Sequence, residues 1–327
     1  HRDILTVSDS SPVYIAKREN KEKEKEFLTS TDPWFRPVNF TVGPDGYLYI
    51  IDMYRQHIET PFAIPEDLKK DMDFLNGREY GRIYRIVPKE EKLQKEGLPD
   101  FQKMQSAAVL TFLSHPDRKV RMLAQRILFE RQDKSIVPSL KTLFAQEKDA
   151  GTRLHALYLL DGLKSIDTGI VTKAIRDNSP GVREAGIRLS EKFPECLALL
   201  IQAADDSSVM VSFQAALTLG NYPLMQSATA LKKLMIKYGY DKWFRAGILS
   251  SVPGASLDFF HSLIDENWFD KDGNKSQLAY LKSFSSILSL RNNSEEITSA
   301  IADFSKGRLK EKKQYEIAFI EGLNKGY

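Results

Sequence analysis

The chain has 327 residues, of which 42% are hydrophobic and 28% charged, a composition that is ordinary for a folded protein of two or three domains. Its 47 basic and 44 acidic side chains give a formal net charge of +3, and this balance argues against binding nucleic acid through a positive field. No apolar run reaches the roughly 18 residues of a membrane-spanning helix. The single cysteine, Cys196, excludes an internal disulfide and a Cys-x-x-Cys-His haem attachment within this sequence.

The first part of the chain contains short runs of β-branched and aromatic residues. Pro37–Val42 and Tyr47–Asp52 are two such runs, and Gly43–Gly46 between them is a turn signal, so the pattern predicts a hairpin. Arg82–Val87 predicts a third strand of the same kind. Val13–Ala16 predicts an upstream strand.

A long insert, at about residues 55–80, separates the second predicted strand from the third. Within it, Pro65 is placed to begin a short helix. Loops of this length usually carry function or are mobile. The composition changes near residue 92, so we predict a β domain over residues 1–92 and a helical domain over residues 98–327.

From Leu98 onward, apolar residues recur with a helical period, and the same unit repeats along the chain. Most copies place an apolar residue before an arginine, with a small residue one turn later. The apolar positions taken as equivalent are Val120, Thr152, Val182, Val211 and Phe244. A period of about 30 residues with two amphipathic helices predicts a stacked helical solenoid, because one helix pair cannot bury its apolar face alone.

The repeated pattern Asp-x-x-Val-Arg-x-x-Ala resembles HEAT-like repeats in their shorter variety, over roughly residues 105–255. The predicted fold is therefore mainly α, a HEAT-like α-solenoid preceded by a small all-β segment. We interpret the recurring arginines as a ladder to aspartates of the neighbouring repeat, and the recurring aspartates as helix N-caps. The arginines are Arg121, Arg153, Arg183 and Arg245, and the aspartates are Asp117, Asp149, Asp177, Asp205 and Asp241.

Polar and aromatic side chains concentrate at the predicted strand ends and at the start of the insert, where rigid sheets commonly carry functional sites. The members of this cluster are Asp32, Trp34, Arg36, Asp45, Asp52, Tyr54, Arg55, His57 and Glu59. Arg36 could hold a carboxylate with its planar fork. Asp52, His57 and Glu59 are candidates for acid–base or metal-binding roles.

The segments Asp32–Val38, Gly43–Arg55 and His57–Glu59 resemble the late propeller region of the bacterial "membrane-bound dehydrogenase" family, relatives of soluble quinoprotein glucose and sorbosone dehydrogenases. Gly81–Ile86 resembles the closing strand of that propeller. The resemblance covers about residues 27–200, and it implies that residues 1–92 are the C-terminal blade region of a β-propeller. The sequence departs from the family in holding only about one blade and part of another.

This resemblance implies that the sequence, which begins at His1 without a leader segment, is a fragment of a longer parent protein. The parent would be an extracytoplasmic, periplasmic sugar or alcohol dehydrogenase using pyrroloquinoline quinone (PQQ) and calcium, with a c-type cytochrome domain downstream. We expect no cofactor in the fragment itself and predict no metal site there. The candidate catalytic residues are Arg36, Asp52, His57 and Glu59, and the candidate cofactor contacts are Arg36, Tyr54 and Arg55.

Two alternatives stay open at the level of the sequence. Trp34, Arg36 and Tyr54 could pack against and pin the hairpin instead of contacting a ligand. The chain as a whole could be a non-catalytic scaffold, with a protein partner bound on the surface of the solenoid. Whether the chain takes part in an enzyme therefore stays open.

Overall fold

The computed structural model describes residues 2–43, 45–89, 99–269 and 274–325. Within them helices predominate, and all strands lie before residue 87. The predicted fold class is therefore confirmed: mainly α, with a HEAT-like solenoid after a small all-β segment. The predicted domain boundary at residues 92–98 lies outside the described residues.

The chain divides into two compact units. Unit 1 comprises His1–Asp3 and Arg18–Ser165, and unit 2 comprises Ile4–Lys17 and Ile166–Tyr327. None of the described helices is both long and apolar enough to cross a bilayer.

The β segment consists of a two-stranded sheet and a three-stranded antiparallel sheet. Its strands are β1 (Asp3–Val7), β2 (Tyr14–Arg18), β3 (Pro37–Val42), β4 (Leu48–Asp52) and β5 (Arg82–Ile86). The predicted hairpin and third strand are confirmed as the sheet β3–β4–β5. The sequence reasoning missed β1 and placed β2 slightly too early.

The three-stranded sheet buries little beyond its central strand. Ile50 on β4 lies between Phe40 and Tyr84 in the register and is 5% exposed. Phe40 itself is 73% exposed. On the other face, Ile51 lies opposite Ile83, which is 67% exposed. Both faces of this sheet therefore present apolar side chains to solvent.

In unit 1, the insert contains one short helix, and the helical repeats begin after residue 105. These helices are α1 (Glu66–Lys69), α2 (Ser106–Leu110), α3 (Arg118–Arg131), α4 (Val137–Gln146) and α5 (Ala150–Gly162). Helix α3 packs against both α2 and α5, and α4 packs against α5. The position of α1 confirms the short helix predicted after Pro65.

In unit 2, the helices stack in two layers. They are α6 (Thr168–Ile175), α7 (Pro180–Leu189), α8 (Leu197–Ala203), α9 (Val209–Thr218), α10 (Leu224–Tyr238), α11 (Lys242–Ser250), α12 (Ser256–Asp265), α13 (Lys275–Arg291), α14 (Ser294–Ser305) and α15 (Lys313–Lys325). Helices α7, α9, α11, α13 and α15 contact one another in that order. Helices α6, α8, α10 and α12 do the same.

The five equivalent positions of the repeat, four of them apolar and one a threonine, are all buried, which confirms the period predicted from the sequence. Each of these side chains is at most 2% exposed. They are Val120, Thr152, Val182, Val211 and Phe244. A small residue one turn later lets the neighbouring helix approach. At Gly186, for example, an added Cβ would lie 2.7 Å from the backbone nitrogen of Ile175 on α6.

The recurring arginines fasten each helix to the loop before it. In each of the four repeats that carry the arginine, its Nη1 donates to the backbone carbonyls six and five residues earlier, at 2.7–3.1 Å. In the copy that carries serine instead, Ser212 donates to the carbonyl of Asp206 at 3.3 Å. Loop carbonyls have no partner in a helical ladder, so the guanidinium satisfies them with charge-assisted bonds.

The predicted ladder between repeats is present but secondary. Arg183 binds Asp206 through two bonds of 2.8 and 2.7 Å. Asp149 has a lowered pKa, chiefly because it accepts hydrogen bonds from the Thr152 amide and hydroxyl, with a smaller contribution from the charge of Arg121. The sequence interpretation missed the main role of these arginines, which is directed at the backbone of their own repeat.

The N-cap prediction holds for three of the five aspartates. Asp117, Asp149 and Asp241 each accept backbone N–H bonds at the start of α3, α5 and α11. It is wrong for Asp177, because Ser179 occupies the N-cap before Pro180 and Asp177 accepts the backbone N–H of Ser179 in the preceding turn. It is also wrong for Asp205, which pairs with a lysine while Ser208 is the N-cap of α9.

Replacing Arg121 with methionine tests the loop contact, because methionine keeps the apolar stem and removes the donors. We expect Arg121→Met to lower the free energy of unfolding by about 1–3 kcal/mol, since two loop carbonyls lose a charged partner. Urea unfolding measures the change. Arg126→Met on the same helix is the control, because Arg126 is 73% exposed and Glu130 is its one ion-pair partner among the described residues; its effect should stay within about 0.5 kcal/mol. Equal losses in the two variants would contradict the loop role.

Helices α13 and α15 approach each other closely at Gly322. A Cβ added there would collide with the Ser285 hydroxyl and the Lys282 carbonyl. We expect Gly322→Ala to destabilise the protein by about 1–3 kcal/mol through overpacking. Thermal unfolding checks this against Gly254→Ala, where an added Cβ meets nothing within 4 Å. The control should be neutral or slightly stabilising, so a neutral Gly322→Ala would show that the helices can separate without cost.

Candidate functional site

Arg36 lies immediately before β3, and its guanidinium is occupied by backbone carbonyls. Nη1 donates to the carbonyls of Pro33 at 2.6 Å and Phe35 at 3.2 Å, and Nη2 donates to that of Gln56 at 3.1 Å. Nε is buried without a partner among the described residues. Arg36 thus joins the loop before β3 to the start of the insert.

Asp52 ends β4 and is 1% exposed. Its Oδ1 accepts the backbone N–H of Arg36 at 2.8 Å and that of Tyr54 at 2.9 Å. Its Oδ2 is buried and has no hydrogen-bond partner in the described part of the chain. The nearest cation is Arg82, whose Nε lies 3.9 Å away. Buried carboxylate oxygens normally have a partner, so this atom is the most unusual polar group of the β segment.

Tyr54 follows this carboxylate and adopts a left-handed backbone conformation, with φ +52°. Its ring lies under the Arg82 guanidinium, 3.9 Å from the ring centroid, a distance that suits a cation–π contact. Trp34 and Tyr80 flank the same ring at 5.8 and 6.2 Å. The pKa of Tyr54 is raised, first because its hydroxyl is hydrogen-bonded to Asp32.

The insert is closed at its base, next to Tyr54. The side-chain amide of Asn76 donates to that of Gln56 at 2.8 Å, and the Gln56 N–H donates to the Asn76 carbonyl at 3.3 Å. Gly77 follows with φ +94°, and an added Cβ there would lie 2.5 Å from the Tyr54 carbonyl. Only glycine fits both the conformation and this approach.

The other candidate residues of the insert act separately. Arg55 donates to the carbonyls of Met53 and Tyr54 at 3.2 and 3.0 Å. The His57 ring packs 5.9 Å from that of Phe74. Glu59 is exposed, and its pKa is lowered chiefly by backbone N–H bonds, with smaller contributions from the charges of His57 and Arg36. No direct bond joins these three side chains to one another in the described residues.

The structure therefore brings together Arg36, Asp52 and Tyr54, and leaves Arg55, His57 and Glu59 at its edge. Asp45 lies at the opposite end of β4, where it accepts a hydrogen bond from Tyr49 at 2.7 Å. Sequence reasoning missed Arg82, Tyr80 and Gly77. Arg82 could have been found by aligning the predicted strands, because it lies directly opposite Asp52 in the register.

The arrangement does not fit a calcium-dependent quinone centre by itself. Among the described residues, no three His, Cys, Asp or Glu side chains lie close enough together to hold a metal ion. Arg36, the expected contact for a cofactor carboxylate, already has carbonyl partners on both terminal nitrogens. Arg36 and Asp52 instead provide hydrogen bonds to backbone carbonyl and N–H groups at the end of β4.

Arg36→Lys tests whether the guanidinium is needed for structure. Lysine keeps the charge but cannot reach three carbonyls with one planar fork. We expect faster amide hydrogen exchange at Phe35 and Arg36 and at Tyr54–His57, and a loss of stability of about 1–3 kcal/mol. The matched control is Arg78→Lys, because Arg78 is 56% exposed and, in the described part of the chain, forms an ion pair with Glu79 alone. If exchange is unchanged in both variants, Arg36 is free for a ligand.

Comparison with known proteins covers only the β segment and the insert. Residues 1–90 match a family model described as a domain of unknown function, DUF7133. No curated protein matches the chain.

Proposed function

We propose that this chain is a scaffold that is not catalytically active alone: the helical repeats bind a protein partner, and the β segment is a supporting module. The observation that carries this proposal is the occupation of the candidate site by backbone groups. Arg36 and Arg55 donate to five carbonyls between them, and Asp52 accepts two amides. Side chains held in this way stabilise a loop.

The free-energy cost of displacing the carbonyl partners of Arg36 by a ligand supports the same proposal. A ligand that took the Arg36 fork would have to release the carbonyls of Pro33 and Gln56. The bond to the Gln56 carbonyl is part-buried, and leaving that carbonyl without a donor costs about 1–3 kcal/mol, so ligand binding would begin with a penalty. The Pro33 carbonyl is exposed and can turn to water. An arginine reserved for a ligand usually keeps its fork open toward the ligand.

The repeats supply the second element of the proposal. Stacked helix pairs present an extended surface built from successive repeats, and such surfaces are typical of protein recognition. The loops between the helices are held by the arginine contacts, so a partner would meet a surface that is already ordered. Binding to an ordered surface avoids part of the entropy cost of association.

A second candidate function is support within a longer enzyme. The resemblance to quinoprotein dehydrogenases implies an extracytoplasmic parent with PQQ, calcium and a downstream c-type cytochrome domain. This candidate is favoured by the exposed apolar residues on both faces of the three-stranded sheet, Phe40 and Ile83 among them. Neighbouring blades of a propeller would cover such faces, because sheets in a propeller pack face to face.

The scaffold proposal is tested by calorimetric titration of the chain with PQQ and calcium, followed by a dye-linked oxidation assay over a panel of sugars and alcohols. We expect no saturable heat and no turnover. Arg36→Lys and Asp52→Asn are the variants to compare if heat is seen. Micromolar binding that either variant abolishes would overturn the proposal, because the cluster would then be a cofactor site.

A further inference from the structure

The end of α10, the start of α11 and the loop between them together expose two aromatic rings and two lysines within seven residues. We name this surface the 237–243 patch; it consists of Lys237, Tyr240, Lys242 and Trp243. Tyr240 is 51% exposed and Trp243 is 47% exposed, and both lysines are exposed. Large exposed aromatic rings at a loop are enriched among residues that dominate protein recognition.

The repeat itself does not need these aromatic rings. The residue before the buried apolar position is Lys119, Gly151, Gly181 and Met210 in the other copies, and Trp243 in this one. At the position of Tyr240 the other copies have Pro116, Lys148, Asn178 and Ser207. Packing of the helices therefore tolerates small or polar residues at both positions. The rings of Tyr240 and Trp243 call for a separate explanation.

The two lysines carry charge that the described residues do not neutralise. The Lys237 ammonium lies 4.8 Å from the Tyr238 ring centroid, and that of Lys242 lies 5.0 Å from the Trp243 ring centroid. Neither forms an ion pair within the described residues. By contrast, Lys232 and Lys233 on the same helix pair with Glu266 and Asp205.

Asp241, which lies between the two lysines in sequence, accepts three hydrogen bonds. Asp241 Oδ1 accepts the backbone N–H groups of Trp243 at 2.9 Å and Phe244 at 3.0 Å. Its Oδ2 accepts the hydroxyl of Ser11 at 2.7 Å. Asp241 is also the only acidic residue in the sequence from 207 to 257, which contains the basic residues Lys232, Lys233, Lys237, Lys242 and Arg245. This stretch is therefore locally cationic, although the chain as a whole is nearly balanced.

The tip of the first sheet holds the patch in place. The hydroxyl of Tyr240 donates to the Ser10 carbonyl at 2.9 Å, and Ser11 donates to Asp241. These bonds fix one aromatic ring and the start of α11 before any partner arrives. Pre-organisation of this kind lowers the entropy cost of binding.

We infer that the 237–243 patch binds an acidic peptide segment of a partner protein that also carries an aromatic or aliphatic side chain. This inference rests on the proposed scaffold function and names the class of partner. Carboxylates of the segment pair with Lys237 and Lys242, and its apolar side chain covers the Trp243 ring. Nucleic acid fits less well, because its affinity depends on neutralising many phosphates and the patch offers two lysines.

Fluorescence anisotropy with a labelled dodecapeptide of Glu-Asp pairs alternating with Phe or Leu tests the inference. We expect wild-type chain to bind and the double variant Lys237→Glu, Lys242→Glu to bind at least tenfold more weakly. Trp243→Ala should also weaken binding, while circular dichroism stays unchanged because the ring is exposed. Lys173→Glu on α6 is the matched control, since Lys173 is also an exposed helical lysine, and it should bind like wild type.

Three outcomes would overturn the inference. Equal binding by all variants would place the acidic segment elsewhere, and no binding by wild type would remove the acidic partner. Tighter binding of an oligo-dT strand than of the peptide, with competition between them, would identify a nucleic-acid site instead. The scaffold proposal is tested separately by the PQQ titration, so its failure can be distinguished from a failure of the peptide-binding inference.

Discussion

The structure depends most on charged side chains that bind the backbone. In the repeats, an arginine near the start of a helix closes the preceding loop by donating to carbonyls six and five residues earlier. In the β segment, Arg36 donates to loop carbonyls and Asp52 accepts a backbone N–H at the end of β4, so charged side chains bind the backbone there too. Loops without regular hydrogen bonds are thereby satisfied internally, and within each unit the helix pairs can stack on their neighbours.

The same interaction changes how the polar residues of the β segment are understood. A cluster of Arg, Asp, Tyr and His at strand ends is what a catalytic centre looks like in sequence. The geometry gives most of these groups a structural partner, and among the described residues of the cluster only Asp52 Oδ2 and Arg36 Nε are buried without one. The surface with unneutralised charge and exposed aromatic rings lies instead in the repeats, at the loop before α11.

The fold could be predicted because burial repeats in the sequence. Val120, Thr152, Val182, Val211 and Phe244 recur about every 30 residues and all are buried. The partners of the arginines could not be predicted, because a loop carbonyl five residues away has no signature in side-chain identity. Likewise, the contact of Arg82 with Asp52 and Tyr54 depends on strand register, and Gly77 matters only once the insert closes against Tyr54.

The repeat that carries Ser212 in place of arginine differs mechanically from its neighbours. The Ser212 hydroxyl makes one neutral hydrogen bond of 3.3 Å to the Asp206 carbonyl, whereas the arginines of the adjoining repeats each make two charge-assisted bonds to their own loops. The side chain of Asp206 is held instead by Arg183 of the preceding repeat. In a solenoid each repeat is supported by those beside it, and here the preceding repeat also supplies the charged partner of the loop. Loss of Arg183 would therefore loosen two loops at once, the one before α7 and the one before α9.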